Sequence, residues 1–356
     1  MDIDDPSATP DHEAPVEASA DAASGAAATP RLTGVRIGLA ALRLGPVLIL
    51  AVLVVVLSSL SPYFATTQNL GNVLAQSAVI AILAIGQLLV ILTRGIDLSV
   101  GSTLALSAVV GALVFRELGG GAATVAVMLA AGVAVGAVNG IVFVFGRLPH
   151  PFIITLATLS IARGLALMFS GGQPIRGMPD VVDTIGGGSV GWLPYSTLLV
   201  ALVAGAVALF LTRAVWGRWI YAVGGNPEGA RRLGIPHSWV LVSVYVVSGL
   251  LAGVAAVVTS GRLNAGSPTF GQLAELDSIA AVVIGGASFL GGRGHVGHAL
   301  VGALMIGVIR NGMNLLNIEA SMQLVVIGVV IVLAVESDVI RGRLEARFRT
   351  LQAASA

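Results

Sequence analysis

Apolar residues in this chain come in long runs nearly free of charge, recurring from Pro46 to Val335, rather than in the alternation of a half-buried sheet. A helix needs about 20 predominantly apolar residues to cross a hydrocarbon layer of about 30 Å. On that measure the pattern predicts about ten transmembrane helices, over residues 46–61, 73–92, 100–115, 122–143, 152–169, 193–212, 240–260, 278–290, 296–315 and 321–335. The fold class is therefore all-α, a polytopic membrane protein with both termini cytoplasmic. The run 278–290 is short and broken by glycine, so it is expected to be interrupted or re-entrant.

One interruption of the pattern is rich in signals. Residues 213–239 read RAVWGRWIYAVGGNPEGARRLGIPHSW, between two runs long enough to cross a bilayer. Asn226 is a suitable helix cap, Pro227 fits a first turn, Glu228 suits the positive N-terminal end, and Gly234 followed by Pro236 ends the helix. The spacing predicts a helix of about seven residues, roughly 10 Å long. A helix this short is marginal in water unless a partner holds it, so it reads as a docking element on the membrane surface.

Composition agrees with the pattern. Hydrophobic residues make up 56% of the chain and charged residues 10%, with a mean hydropathy of +0.94, which excludes an ordinary soluble domain. The 46 glycines allow close helix approach in lipid. Cysteine is absent, excluding a disulfide framework or thiolate metal site. All 19 basic residues are arginine, and without lysine there is no P-loop, so the chain cannot be a P-loop ATPase by itself. A net charge of +1 gives no indication of a nucleic-acid partner.

The placement of the arginines sets orientation. With the N-terminus in the cytoplasm, Arg94, Arg147, Arg213, Arg218, Arg231, Arg232, Arg293 and the terminal arginines fall inside, and Arg116, Arg176 and Arg262 outside. That is the positive-inside pattern, and it requires an even number of spans. Residues 1–42 form an acidic, alanine-rich tail, expected to be disordered, with a basic juxtamembrane segment; they do not resemble a secretory signal. Residues 43–340 are the transmembrane domain and 341–356 a basic cytoplasmic tail. The outer segment 170–192, rich in Gly and Pro, is expected to carry a short helix or docking surface. A weak internal echo links 86–101, ending RGIDLSVG, with 285–297, ending RGHVG.

Candidate chemistry is sparse. In TRGIDLSVGS (93–102), Asp97 lies close to the membrane, where it must be paired, cap a helix or face water. Asp97 or Ser99 can cap the following helix, and a role in substrate passage stays open beside that. In the segment 275–316, glycines at 285, 286, 291, 292, 294 and 297 break what would be one long helix. Such breaks are tolerated where they line a cavity. Arg310 and Asn311 stand inside the next span, where an arginine costs about 2.5–3.5 kcal/mol and must face protein or water. Gln76, Gln87, Asn139, Arg163 and Asn264 are each able to bond a neutral polyol or to join helices. His295 and His298 are three apart, without a third metal ligand. No catalytic set gathers, so the chain is not expected to be an enzyme. An ion-coupled secondary transporter would place carboxylates near mid-membrane, whereas the acidic residues here lie mostly in tails and loops.

Three motifs then converge on one family. TRGIDLSVGS resembles the GGIDLSVGS signature of the inner-membrane permeases of ribose, xylose and galactose type ABC sugar importers. ELDSIAAVVIGGASFLGGRGHVGHALVGALMIGVIRNGMNLL (275–316) is similar to that family's C-terminal glycine-rich block, and YAVGGNPEGARRLGI (221–235) resembles its coupling segment. The resemblance runs from about Arg43 to Arg341. Two positions depart from it: Gly229 replaces the first alanine of the Glu-Ala-Ala pattern, and Thr93 and Arg94 precede Gly95 where the family has another glycine.

The resemblance implies a homodimer in the bacterial cytoplasmic (inner) membrane, with separate ATPase subunits that bind ATP and Mg. It also implies an extracytoplasmic sugar-binding protein that delivers a monosaccharide. No cofactor is expected in this chain. Coupling to the ATPase falls to Asn226, Pro227, Glu228, Gly229, Ala230, Arg231, Arg232 and Gly234. The pathway candidates are Asp97, Ser99, Gln87, Asn139, Arg163, Glu275, Asp277 and Asn311, with Glu275 and Asp277 bracketing the entrance and Asp97 and Ser99 shaping the inner side. The alternative is a branched-chain amino-acid or other small-solute ABC permease, or an ion-coupled secondary transporter.

Overall fold

The computed structural model describes residues 45–353; the expectation for residues 1–42 lies outside them. Helices dominate: α1 (Gly45–Leu60), α2 (Thr67–Leu92), α3 (Val100–Leu118), α4 (Gly121–Phe145), α5 (Pro151–Ser170), α6 (Asp180–Gly187), α7 (Tyr195–Arg213), α8 (Val215–Gly225), α9 (Pro227–Arg232), α10 (His237–Leu263), α11 (Ala274–Ile284), α12 (Val296–Leu315) and α13 (Ala320–Ala353). Among the described helices, seven rather than ten are long and apolar enough to cross a membrane: α2, α3, α4, α5, α7, α10 and α12. α1 and the apolar part of α13, Ala320–Glu336, are shorter. α13 continues as one helix into the segment read as a separate tail from 341.

The run at 278–290 does not form a span. α11 has 11 residues, about 16 Å at 1.5 Å per residue, and irregular chain follows to His295. Gly286, Gly291, Gly292 and Gly294 there adopt positive φ, which ends the helix.

α2 and α10 form the centre of the bundle, with 78% and 72% of their most apolar windows buried. What permits the packing is a small-residue stripe on α4. A Cβ on Gly132 or Gly136 would overlap the carbonyl oxygens of Gly249 and Tyr245 on α10, and one on Gly140 would lie 2.9 Å from the Val242 Cα. Backbone meets backbone, as small residues four apart allow.

The two ends of the bundle differ. At one end lie α6 and two short antiparallel pairings, β1 (Ile175–Arg176) with the distant β4 (Ala265–Gly266), and the hairpin of β2 (Ser189–Val190) with β3 (Leu193–Pro194). α6 is the short helix expected in 170–192. At the other end lie α8, α9 and the 285–295 loop. The 27 residues of α10 separate these ends by about 40 Å.

Candidate functional site

The arginine-rich end is built from α9 and the pieces that hold it. Asn226 caps the helix, its side-chain oxygen accepting from the Gly229 amide at 2.9 Å, and Pro227 occupies the first turn. At the other end, Ile235 N donates to Ala230 O and Gly234 N to Arg231 O, with Gly234 at φ +75°. This is the paired closure in which a left-handed glycine satisfies the last carbonyls. The six-residue helix matches the sequence expectation. Ala230 is buried, Leu233 is 82% exposed, and Glu228 and Arg232 form an exposed pair at 3.3 Å.

The preceding helix, α8, was not foreseen. It holds α9 against the membrane body, and its Trp216 donates to the Ser243 hydroxyl at 2.9 Å. Tyr221 donates its phenol proton to Gly294 O at 2.8 Å, and burial pushes that phenol up, so it stays a donor at neutral pH. Gly224 lies directly on Leu92 O, where a Cβ would overlap it. Arg94 completes the joint, donating from Nε to Gly224 O at 2.6 Å and from NH2 to Gly225 O at 2.9 Å. Gly292 N donates to Leu92 O at 2.9 Å. The two echo segments, 86–101 and 285–297, thus meet here.

Beyond Arg94 the chain turns back into the bundle. Asp97 Oδ1 accepts from the Ser99 amide at 3.0 Å and hydroxyl at 2.7 Å, and Oδ2 accepts from the Ser248 hydroxyl at 3.0 Å. Ser248 lies about 16 Å along α10 from His237, so the loop re-enters by about that depth. Asn139 donates to Ser99 Oγ at 2.8 Å and accepts from Thr158 at 2.7 Å. The Gln87 amide, suitably oriented, bridges the Asp97 backbone N–H and C=O at 3.1 and 3.0 Å. Asp97, Ser99, Gln87 and Asn139 are all buried. Held in this way by Ser99 and by Ser248 of α10, the carboxylate orients the start of α3, while Gln87 of α2 holds its backbone and Asn139 of α4 its Ser99 partner.

The other candidates lie from Gly101 outward, away from α9. Arg310 NH2 donates to both carboxylate oxygens of Asp277, at 2.6 and 2.8 Å, with Asp277 buried; this is the protein-facing partner the arginine required. Asn311 and Asn69 exchange amide hydrogen bonds at 2.8 and 2.9 Å. Arg163 donates to Pro268 O and to Phe270 O, the latter at 2.8 Å. Glu275 is buried against Gly101, and its Oε2 has no hydrogen-bond partner among the described residues. Asp97, Glu275 and Asp277 are therefore interior groups although Asp97 precedes its helix and the other two lie in the first turn of theirs. His295 and His298 stack edge to face at 5.6 Å, and no group of three metal-ligating side chains occurs among the described residues.

A bundle of long apolar helices, one broken by glycine, with a capped short helix at its arginine-rich end is the architecture of a multi-pass membrane protein. The chain matches, over residues 69–335, the family described as branched-chain amino acid transport system / permease component. It is 41% identical to the ribose import permease protein RbsC of Escherichia coli K12, covering 81% of this chain and 91% of that one. It is 40% identical to the D-allose transport system permease protein AlsC of the same organism, over 83% and 90%. With the fructose import permease protein FrcC of Rhizobium meliloti it shares 36% identity, over 75% and 76%. The chain belongs to this family of ABC importer permeases, multi-pass proteins of the membrane. No solved structure matches it.

Proposed function

We propose that this chain is the membrane subunit of an ATP-driven importer for a monosaccharide of the ribose, allose or fructose kind. It acts as a homodimer, with separate ATPase subunits carrying ATP and Mg and an extracytoplasmic sugar-binding protein delivering the solute. The relatives support the sugar class. The coupling role rests on one observation, the capped α9 with Leu233 exposed at its end and Arg94 joining its base to the re-entrant loop. An 82% exposed leucine at the end of a six-residue helix that is marginal without a partner is what a contact with another subunit would cover.

In this reading, closure of the ATPase pair pushes α9. The push reaches Leu92, Arg94 and the 285–295 loop through α8, and from there the loop that carries Asp97. The sugar is moved without covalent change. Replacement Glu228→Arg, or deletion of 226–234, is expected to abolish sugar uptake into proteoliposomes holding the full assembly, with membrane insertion preserved. Full-rate uptake by either variant, or by the permease without any ATPase, contradicts the assignment.

A further inference from the structure

The outer end of the bundle holds an open cavity of about 570 Å³ lined by Arg176, Leu263, Asn264, Ser267, Thr269 and Phe270. The volume lies within the roughly 300–1,000 Å³ of small-molecule sites. It stands some 40 Å from α9, at the far end of α10. Its polar groups come from three separate stretches of chain: β1, the end of α10, and the turn before α11.

The walls are fixed before any ligand arrives. β1 and β4 pair through Arg176 and Ala265, and Gly177 N donates to Asn264 O at 3.0 Å. Asn264 adopts φ +46°, a left-handed conformation that asparagine tolerates. Its side-chain oxygen accepts from Met178 N at 2.7 Å. That bond occupies the amide oxygen, and the nitrogen of the same amide carries two donor protons. Ser267 and Thr269 hydroxyls lie 2.9 Å apart, one donating to the other, so one hydroxyl proton is left over. Arg176 contributes a planar fork of donors. Phe270 contributes a half-buried ring, and its carbonyl is held by Arg163 from α5.

Donor fork, amide nitrogen, hydroxyl pair and one aromatic face suit a compact polyol: its hydroxyls take the donors and its C–H face lies on the ring. No carboxylate lines the cavity, which disfavours a cationic ligand. The floor also continues directly into the transport body. After Phe270 comes Gly271, whose backbone lies against Gly101, and then Glu275 against the same residue; Gly101 opens α3 just beyond Asp97.

We propose that this cavity is a monosaccharide subsite at the outer mouth, where sugar rests between its delivery and its passage. The proposal rests on the sugar-import reading. It adds that the permease itself recognises the sugar, through Arg176, Asn264, Thr269 and Phe270.

The test uses the full-length permease in lipid nanodiscs, without partners, titrated with D-ribose, D-allose and D-fructose under saturation-transfer-difference NMR. The variants are Arg176→Gln, Thr269→Val and Phe270→Leu, each of which preserves the backbone bonds of the walls. The wild type is expected to give ring-proton signals from at least one of the sugars. Loss of one or two ligand hydrogen bonds in the Arg176→Gln, Thr269→Val double variant should weaken binding about tenfold. Identical titrations of wild type and variants, or no sugar signal from the wild type, overturn the subsite. Sugar uptake by the complete assembly is measured alongside: if uptake persists while the subsite fails, the importer reading stands alone, and if uptake is absent both fall. Variants that lose association with the binding protein but keep their sugar signal assign the cavity to protein docking and likewise overturn the proposal.

Discussion

Replacing Arg94 separates two roles that meet at one residue. Arg94 has φ +66°, a conformation that costs a non-glycine residue about 1–2 kcal/mol. The family resemblance places glycine here, which fits that backbone without strain. What offsets the strain is the pair of hydrogen bonds to Gly224 O and Gly225 O, at 2.6 and 2.9 Å. Charged donors are worth about 1.5–3 kcal/mol each when buried, and the side chain is exposed, so about 2 kcal/mol for the pair is reasonable after discounting for solvent. Arg94→Ala keeps the strain and loses the bonds, loosening the joint by about 2 kcal/mol. Arg94→Gly loses the bonds but relieves the strain, so the net cost to the fold is about 1 kcal/mol or less. Thermal midpoints should therefore rank wild type above glycine and glycine above alanine. Coupling should behave differently. Both variants lose the tie between α8 and the loop, so sugar moved per ATP hydrolysed should fall in both by a similar factor, about tenfold or more for a 1.4–2 kcal/mol joint. Hydrogen exchange of the amides in 220–225 reads the joint directly and should quicken in both. Unchanged exchange and unchanged stoichiometry in Arg94→Gly would refute the staple.

Two other perturbations test the body of the protein. Asp277→Asn leaves Arg310 inside the bundle without its counter-charge, which should cost about 3–5 kcal/mol, whereas the double replacement Asp277→Leu, Arg310→Met should recover most of it; thermal melts in detergent check both, and equal melts for single and double variants would count against a buried pair. Gly136→Ala puts a methyl group onto the Tyr245 carbonyl, so α4 and α10 must separate, at about 1–3 kcal/mol; a melting temperature equal to wild type would contradict the backbone contact.

Local features of the chain were legible from sequence because they depend on neighbours. Asn226, Pro227 and Gly234 each act within four residues, and all take the predicted positions in α9. The glycine breaks after α11 and the long apolar runs were legible for the same reason. α8 was missed because RAVWGRWIYAVGG lies between stronger signals and its amphipathic pattern is short. The half-length of α11 was only partly visible, since a run of apolar residues does not reveal where a glycine with positive φ will stop the helix. Pairings were not legible. Asp97 with Ser248 is separated by 151 residues and Asn69 with Asn311 by 242, so only the folded bundle brings them together. Arg163 was seen as an intramembrane polar residue, but carbonyl partners such as Phe270 O leave no trace in side-chain identity.

The positions of these pairings suggest how a small motion inside reaches the outer mouth. α9 is too short to transmit force by itself. Its base, however, is joined at Gly224 and Arg94 to the end of α2, and Leu92 O is shared with Gly292 of the loop before α12. Five residues after Leu92, Asp97 ties the same strand of chain to α10 through Ser248 and, by way of Ser99, to α4 through Asn139. Gly101 then lies against Gly271 and Glu275, in the segment that follows Phe270 of the proposed subsite's lining. The links are backbone contacts and hydrogen bonds, buried at Asp97 and Asn139 and partly exposed at Arg94, so each must break for the pieces it joins to slip. In the proposed coupling, a displacement of α9 must therefore either break one of these links or move the 93–101 loop as a unit, which carries Gly101 against Glu275, whose Oε2 has no hydrogen-bond partner among the described residues.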